Sequence, residues 1–111
     1  KIGEAVNALR NAVSADPTAP LTHFALGCVL LRQGSYKEAA ASLREAANSD
    51  PKDARIRFNL AAALLRAGCE DLAEPEFQDF LALAGPRFPE HRVFVEEFLS
   101  QRRLETYSDE S

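Results

Sequence analysis

The sequence has no tryptophan, no methionine and only two cysteines, Cys28 and Cys69, which form no Cys-x-x-Cys pair. Neither a disulfide framework nor a cysteine zinc site is therefore expected. Aromatic residues are scarce, 8% of a chain that is 46% hydrophobic, so the expected core is aliphatic and rich in alanine. There is no basic excess either. The formal net charge is -4, and the strongly basic surface that nucleic acid or anionic lipid selects is missing. No apolar run approaches the roughly 20 residues of a membrane span, and no segment alternates with period two for long enough to argue for a strand. Nucleic acid and membrane are thus not expected as partners.

What the chain does have is a repeat. The stretch EAVNALRNAVSADP, ending at Pro17, returns as EAAASLREAANSDP, ending at Pro51, a shift of 34 residues. The same shift lays Phe24 on Phe58, Leu26 on Leu60, Leu30 and Leu31 on Leu64 and Leu65, and Gly34 on Gly68. A further shift carries Leu60 to Phe94, Leu64 to Phe98 and Leu65 to Leu99, and sets His91 on His23 and Val95 on Gly27. Within each period, Asp-Pro pairs and glycines punctuate helix, turn, helix. The spacing predicts helices over 2–15, 20–33, 36–49, 54–67, 70–84 and 89–104. Starting inside a helical pattern, without methionine, the chain reads as a piece of a longer protein.

The repeat also explains why the apolar run LGCVLL is interrupted by glycine and followed by a ladder of alanines. Antiparallel helices approach closely only where a side chain is nearly absent. Gly27, Ala39, Ala61 and Ala73 are the expected contact points, with Leu26, Leu30, Leu43, Leu60, Leu64 and Phe77 filling the space between them.

These residues resemble the tetratricopeptide repeat. Its pattern is carried by His23, Leu26-Gly27, Leu30, Ala39, Leu43 and Pro51, and again by Arg57, Leu60-Ala61, Leu64, Ala73, Phe77 and Gly85-Pro86. The resemblance implies an all-α fold, a right-handed superhelix of antiparallel helix pairs, or α-solenoid, of about six helices. Residues 1–17 are then the second helix of a truncated repeat, 18–51 and 52–87 two repeats, 88–104 a capping helix or the first helix of a further repeat, and 105–111 an acidic flexible tail. Three positions depart from the pattern: His23 and Arg57 replace a large aromatic, and Val95 fills a small-residue slot, which implies looser packing of the last helix. Pro75 falls inside a helix, in a segment LAEPEF that is similar to kinesin-light-chain repeats; a first-turn irregularity is expected there, not a break.

The resemblance further implies that the first helix of each pair lines a concave groove. Leu21, Phe24, Cys28, Leu31 and Arg32 would line its first stretch, and Arg55, Phe58, Asn59, Ala62, Leu65 and Arg66 the next. Its floor is apolar and its rim basic, suiting a peptide or partner protein with apolar anchors and acidic flanks. Asn59 matches an asparagine that holds peptide backbone in the family. The two-carboxylate clamp of chaperone-binding members needs lysine and asparagine where this chain has Phe24 and Cys28, so tails of that kind are disfavoured. Arg55, Arg57 and Arg66 lie on one helix, and Glu70, Asp71, Glu74, Glu76 and Asp79 on the next. This pattern reads either as a sidedness of charge or as plain ion pairing between neighbouring helices.

Two other readings stand beside the binding scaffold. One is homo-oligomerisation, a homodimer included, with the apolar groove or the stripe Ile2, Val6, Leu9 and Val13 covered by a second copy. The other is a substrate-recruiting arm of a larger enzyme. Catalysis by this chain itself is not expected: it shows no nucleophile motif and no phosphate-binding loop. His23 and His91 read as structural, Cys28 as groove floor and Cys69 as a turn residue. No cofactor and no metal are expected. The end RRLETYSDES reads as a fraying helix and a flexible tail, whose Ser108 and Ser111 need no regulatory role.

Overall fold

The computed structural model describes residues 1–110, with side chains through Tyr107; Ser111, part of the predicted tail, lies outside the described residues. Six helices follow one another: α1 (Ile2–Ala15), α2 (Pro20–Gln33), α3 (Tyr36–Ser49), α4 (Ala54–Arg66), α5 (Glu70–Ala84) and α6 (Pro89–Glu110). Among the described residues there is no strand. Each helix packs chiefly on its sequence neighbours, giving an elongated stack of 52 × 26 × 21 Å.

Helix ends follow local chemistry. Gly34 and Gly68 adopt φ of +88° and +85°, which a side chain would disfavour. Each lies in a paired turn, with Ser35 N–H donating to Leu30 O and Gly34 N–H to Leu31 O, repeated as Cys69 to Leu64 and Gly68 to Leu65. Asp53 caps α4 by accepting from the Arg55 N–H at 2.9 Å. α5 runs through Pro75 without a break.

The expected small-residue contacts form. Gly27, Ala39, Ala61 and Ala73 are all buried, and a Cβ built on Gly27 would lie 2.5 Å from Leu43 Cγ. Val6 is buried and Leu9 and Val13 pack against the core, so α2 covers most of the stripe that the homo-oligomer reading gives to a second copy; Ile2 stays 38% exposed.

Two expectations fail at the C-terminal end. The core there is aromatic: Phe77 and Phe80 are fully buried, and Phe77 packs on Phe98 with ring centroids 5.0 Å apart. Secondly, the third copy is displaced by one residue. α4 begins at Ala54 but α6 at Pro89, 35 residues later, because α5 is one residue longer than α3. Val95 therefore occupies the place of the buried Leu26 and Leu60, not that of Gly27, and is itself fully buried. The backbones of α5 and α6 approach less closely than those of α4 and α5, and aromatic rings fill the wider seam.

α6 continues to Glu110, where a flexible tail from residue 105 was expected. Arg102 holds it down. Its guanidinium donates to Glu74 at 2.8 Å, Glu70 at 2.9 Å and Asp71 at 2.7 Å, all on α5. The hydrogen bonds to Glu74, first, and to Asp71 raise the Arg102 pKa further. The helix then propagates through exposed Arg103, Leu104 and Glu105, residues with good helix propensity that need no burial.

Candidate binding cleft

Three helices that begin a pair, α2, α4 and α6, bring side chains to a cleft of about 250 Å³. It is lined by Phe24 of α2, Arg55, Phe58 and Asn59 of α4, Phe80 of α5, Phe88 of the α5–α6 loop, and His91 of α6. Phe58 is the central ring. Its centroid lies 4.5 Å from that of His91, 5.3 Å from Phe80, 5.9 Å from Phe77 and 6.2 Å from Phe94, each edge to face. Phe58 thus belongs to the core as much as to the cleft.

The polar groups at the rim are fixed. Arg55 is gripped by Asp53, with Nε 3.3 Å from Oδ1 and Nη2 2.9 Å from Oδ2, and its guanidinium stands 5.6 Å from the Phe24 centroid. Asn59 Nδ2 donates to Arg55 O at 2.8 Å. The hydrogen bonds from Arg55 hold the Asp53 carboxyl below its ordinary value of 3.8. Such a group contributes stability that is fully present above pH 3.8 and is lost as pH falls through the lower folded-state value. In thermal melts followed across the acid range, Asp53→Asn, which keeps the cap, is expected to show a smaller loss of stability below pH 3.8 than the parent. Burial pushes the Cys28 thiol up, with Arg55 opposing, so at neutral pH it is protonated and a poor nucleophile.

A second, polar hollow of about 390 Å³ adjoins the first and shares Arg55 and Phe88 with it. Asp50, Lys52, Asp53, Ala54 and Arg87 complete it. Phe88 stands between the two with φ +57°, a backbone conformation uncommon for a bulky residue.

Of the sequence-predicted groove residues, Phe24, Arg55, Phe58 and Asn59 meet in the cleft, while Leu21, Cys28, Leu31, Arg32, Ala62, Leu65 and Arg66 do not line it. Leu21 is 74% exposed, and Arg66 lies 4.8 Å over the Tyr36 ring at the opposite end of α4. Arg57 is not a rim residue. It pairs with the buried Glu76, which also binds Arg44, just as Glu70, Asp71 and Glu74 are taken up by Arg102. Those charges are therefore ion pairs between helices, and only Arg55 of the three α4 arginines faces the cleft.

Phe80, Phe88 and His91 were not anticipated. His23 is structural, its Nε2 2.6 Å from Pro17 O, and Arg57 Nε repeats the contact one period later by donating to Pro51 O at 3.3 Å. In the third copy the corresponding contact is made by Arg92, which donates to Gly85 O, and His91 turns into the cleft instead. The signal was present as the spacing of Pro51 to Pro86, 35 residues and not 34.

A family profile described as tetratricopeptide repeat matches residues 1–50 and 24–89. No curated protein sequence matches. Among solved structures, the Yersinia enterocolitica type III secretion translocator chaperone SycD, in an alternative dimer, is 25% identical with a TM-score of 0.81, over 95% of this chain and 81% of that one. SycD in complex with a peptide of the translocator YopD is 24% identical with a TM-score of 0.84, over 95% and 82%. MamA is similar in fold, 17% identical with a TM-score of 0.82, over 93% and 60%.

Proposed function

Since the chain belongs to the tetratricopeptide repeat family, we propose that it is a protein-interaction scaffold whose aromatic cleft receives an apolar side chain of a partner peptide. The observation that carries this reading is the cleft itself. Rings from α2, α4, α5 and α6 and the α5–α6 loop converge on a hollow of about 250 Å³ whose walls are held by neighbouring helices. A pre-ordered apolar hollow lowers the entropy lost on binding, which is how a small site gains affinity. SycD, solved with a YopD peptide, is a precedent for peptide binding on this fold. The rest of the predicted groove, Leu21, Cys28, Leu31, Arg32, Ala62, Leu65 and Arg66, is proposed as the path of the flanking peptide chain.

The test uses linear peptides selected from a display library on the intact chain. Arg55→Glu with His91→Glu alters two exposed residues of the cleft; it gives up the Asp53 ion pair and the His91 ring contacts, so melting is expected at a lower temperature but still cooperative, while affinity falls about tenfold or more. Unchanged affinity would refute the cleft as the site. Phe58→Ala is the poorer probe, because it removes a ring that four others meet.

A second reading, homodimerisation, is favoured by the apolar residues that α6 leaves in solvent: Val93 at 58%, Phe94 at 46% and Leu104 at 62% exposure. Light scattering across a concentration series is expected to show a dimer that Val93→Glu with Leu104→Glu dissociates. A monomer at all concentrations would dismiss it.

A further inference from the structure

Resting on the reading of the aromatic cleft as a peptide site, we infer that its occupant carries a carboxylate side chain beside the apolar anchor. That carboxylate enters the polar hollow on the far side of Phe88. The two hollows meet at Arg55 and Phe88, so a chain crossing one reaches the other within a residue or two. Phe88 is held rigidly as the partition. Arg87 stands 5.5 Å from its ring and donates to Ala84 O at 3.2 Å and Leu83 O at 3.0 Å, and Arg92 ties down Gly85 O. A large residue kept at φ +57° in a braced loop is a wall set in place before any ligand arrives.

The charges facing the hollow decide the chemistry of what enters. Lys52, Arg55 and Arg87 oppose Asp50 and Asp53, an excess of one positive charge in a chain whose net charge is -4. Asp53 is already consumed by Arg55 through Nε and Nη2, which leaves Nη1 without a protein partner among the described residues. Lys52 has no carboxylate within 4.0 Å among the described residues. Arg87 gives Nε and Nη2 to carbonyls and has no carboxylate within 4.0 Å among the described residues, so its charge is not neutralised by an acid. An ammonium or guanidinium group entering here finds one carboxylate outside any ion pair among the described residues, Asp50, against three cations, whereas a carboxylate finds a lysine and an open guanidinium nitrogen.

The experiment selects linear peptides on the wild-type chain and reads their sequences. It then measures affinity by fluorescence anisotropy for wild type, Lys52→Glu and Arg55→Glu/His91→Glu. The expected enrichment is a large apolar residue with Asp or Glu at one fixed spacing. Changing that acid to its amide is expected to weaken binding about tenfold to wild type and little to Lys52→Glu. Lys52 is exposed and makes no ion pair, so its replacement leaves the fold intact, which a melt verifies. Peptides that lose affinity on Arg55→Glu/His91→Glu but carry no acid, or tolerate Lys52→Glu, would overturn the carboxylate inference and leave the cleft standing. Peptides indifferent to Arg55→Glu/His91→Glu, or no enrichment at all, would overturn both.

Discussion

Gly27→Leu is expected to abolish cooperative folding of the first complete helix pair, and Gly27→Ala alone to lower stability by about 1–3 kcal/mol. The reason is a single distance: a Cβ at Gly27 would lie 2.5 Å from Leu43 Cγ and 2.8 Å from Leu43 Cδ2. Leu43 has nowhere to retreat, being fully buried among Leu26, Leu30, Ala39 and Ala46 of the same core. Better helix propensity for alanine, worth about 1 kcal/mol over glycine, works against the loss but is smaller than the overlap it creates. The interaction itself is testable. In a Leu43→Ala background the space is vacated, so Gly27→Ala is expected to become neutral or stabilising, although Leu43→Ala alone costs about 2–5 kcal/mol. Urea denaturation of the four proteins measures the coupling. Independent, additive losses would show that α2 and α3 do not meet at this pair.

Gly27 was legible from sequence because its meaning is periodic: a small residue recurs as Ala61 one repeat later, against a second helix whose own small residues, Ala39 and Ala73, recur likewise. Turn glycines and Asp-Pro pairs obey the same period, so five of the helices match the expected spans to within a residue. Periodicity also misled. It carried the 34-residue step into the third copy, where α5 adds a residue, and so set His91 in a buried slot and Val95 on Gly27. No propensity marks that extra residue; its one trace in the sequence is the spacing of Pro51 to Pro86, and packing of Val95 into the core, and of Arg92 onto the Gly85 carbonyl, settles the register.

The cleft was half legible for a related reason. Phe24 and Phe58 share one place in successive repeats, and Arg55 and Asn59 flank the second of them. Phe80 and Phe88 come from a second helix and a loop, which sequence reading assigns to core and turn. Their presence in the cleft follows from the wider α5–α6 seam, a tertiary property. Charge was the least legible, since opposite signs on successive helices fit a divided surface and a set of ion pairs equally well. Distance distinguishes them, and here it selects pairs.

Glu76 shows how much one of those pairs matters. Its carboxylate is 9% exposed and accepts from two cations, Arg57 Nη1 at 2.9 Å to one oxygen and Arg44 Nη2 at 2.8 Å to the other, so that α3, α4 and α5 meet at a single side chain. Glu76→Ala is expected to cost about 3 kcal/mol, because Arg57, only 16% exposed, is left buried and unpaired beside a second positive charge. Arg44, at 42% exposure, can turn to water and contributes little to that figure. The companion variant separates pairing from packing. Replacing both members, Glu76→Leu with Arg57→Leu, removes the desolvation cost together with the attraction and is expected to be near neutral. Denaturant titration of the single and double variants gives the comparison. If Glu76→Ala costs no more than an exposed pair does, about 0–1 kcal/mol, the three helices are held by their alanine and leucine contacts alone and the charge cluster is incidental.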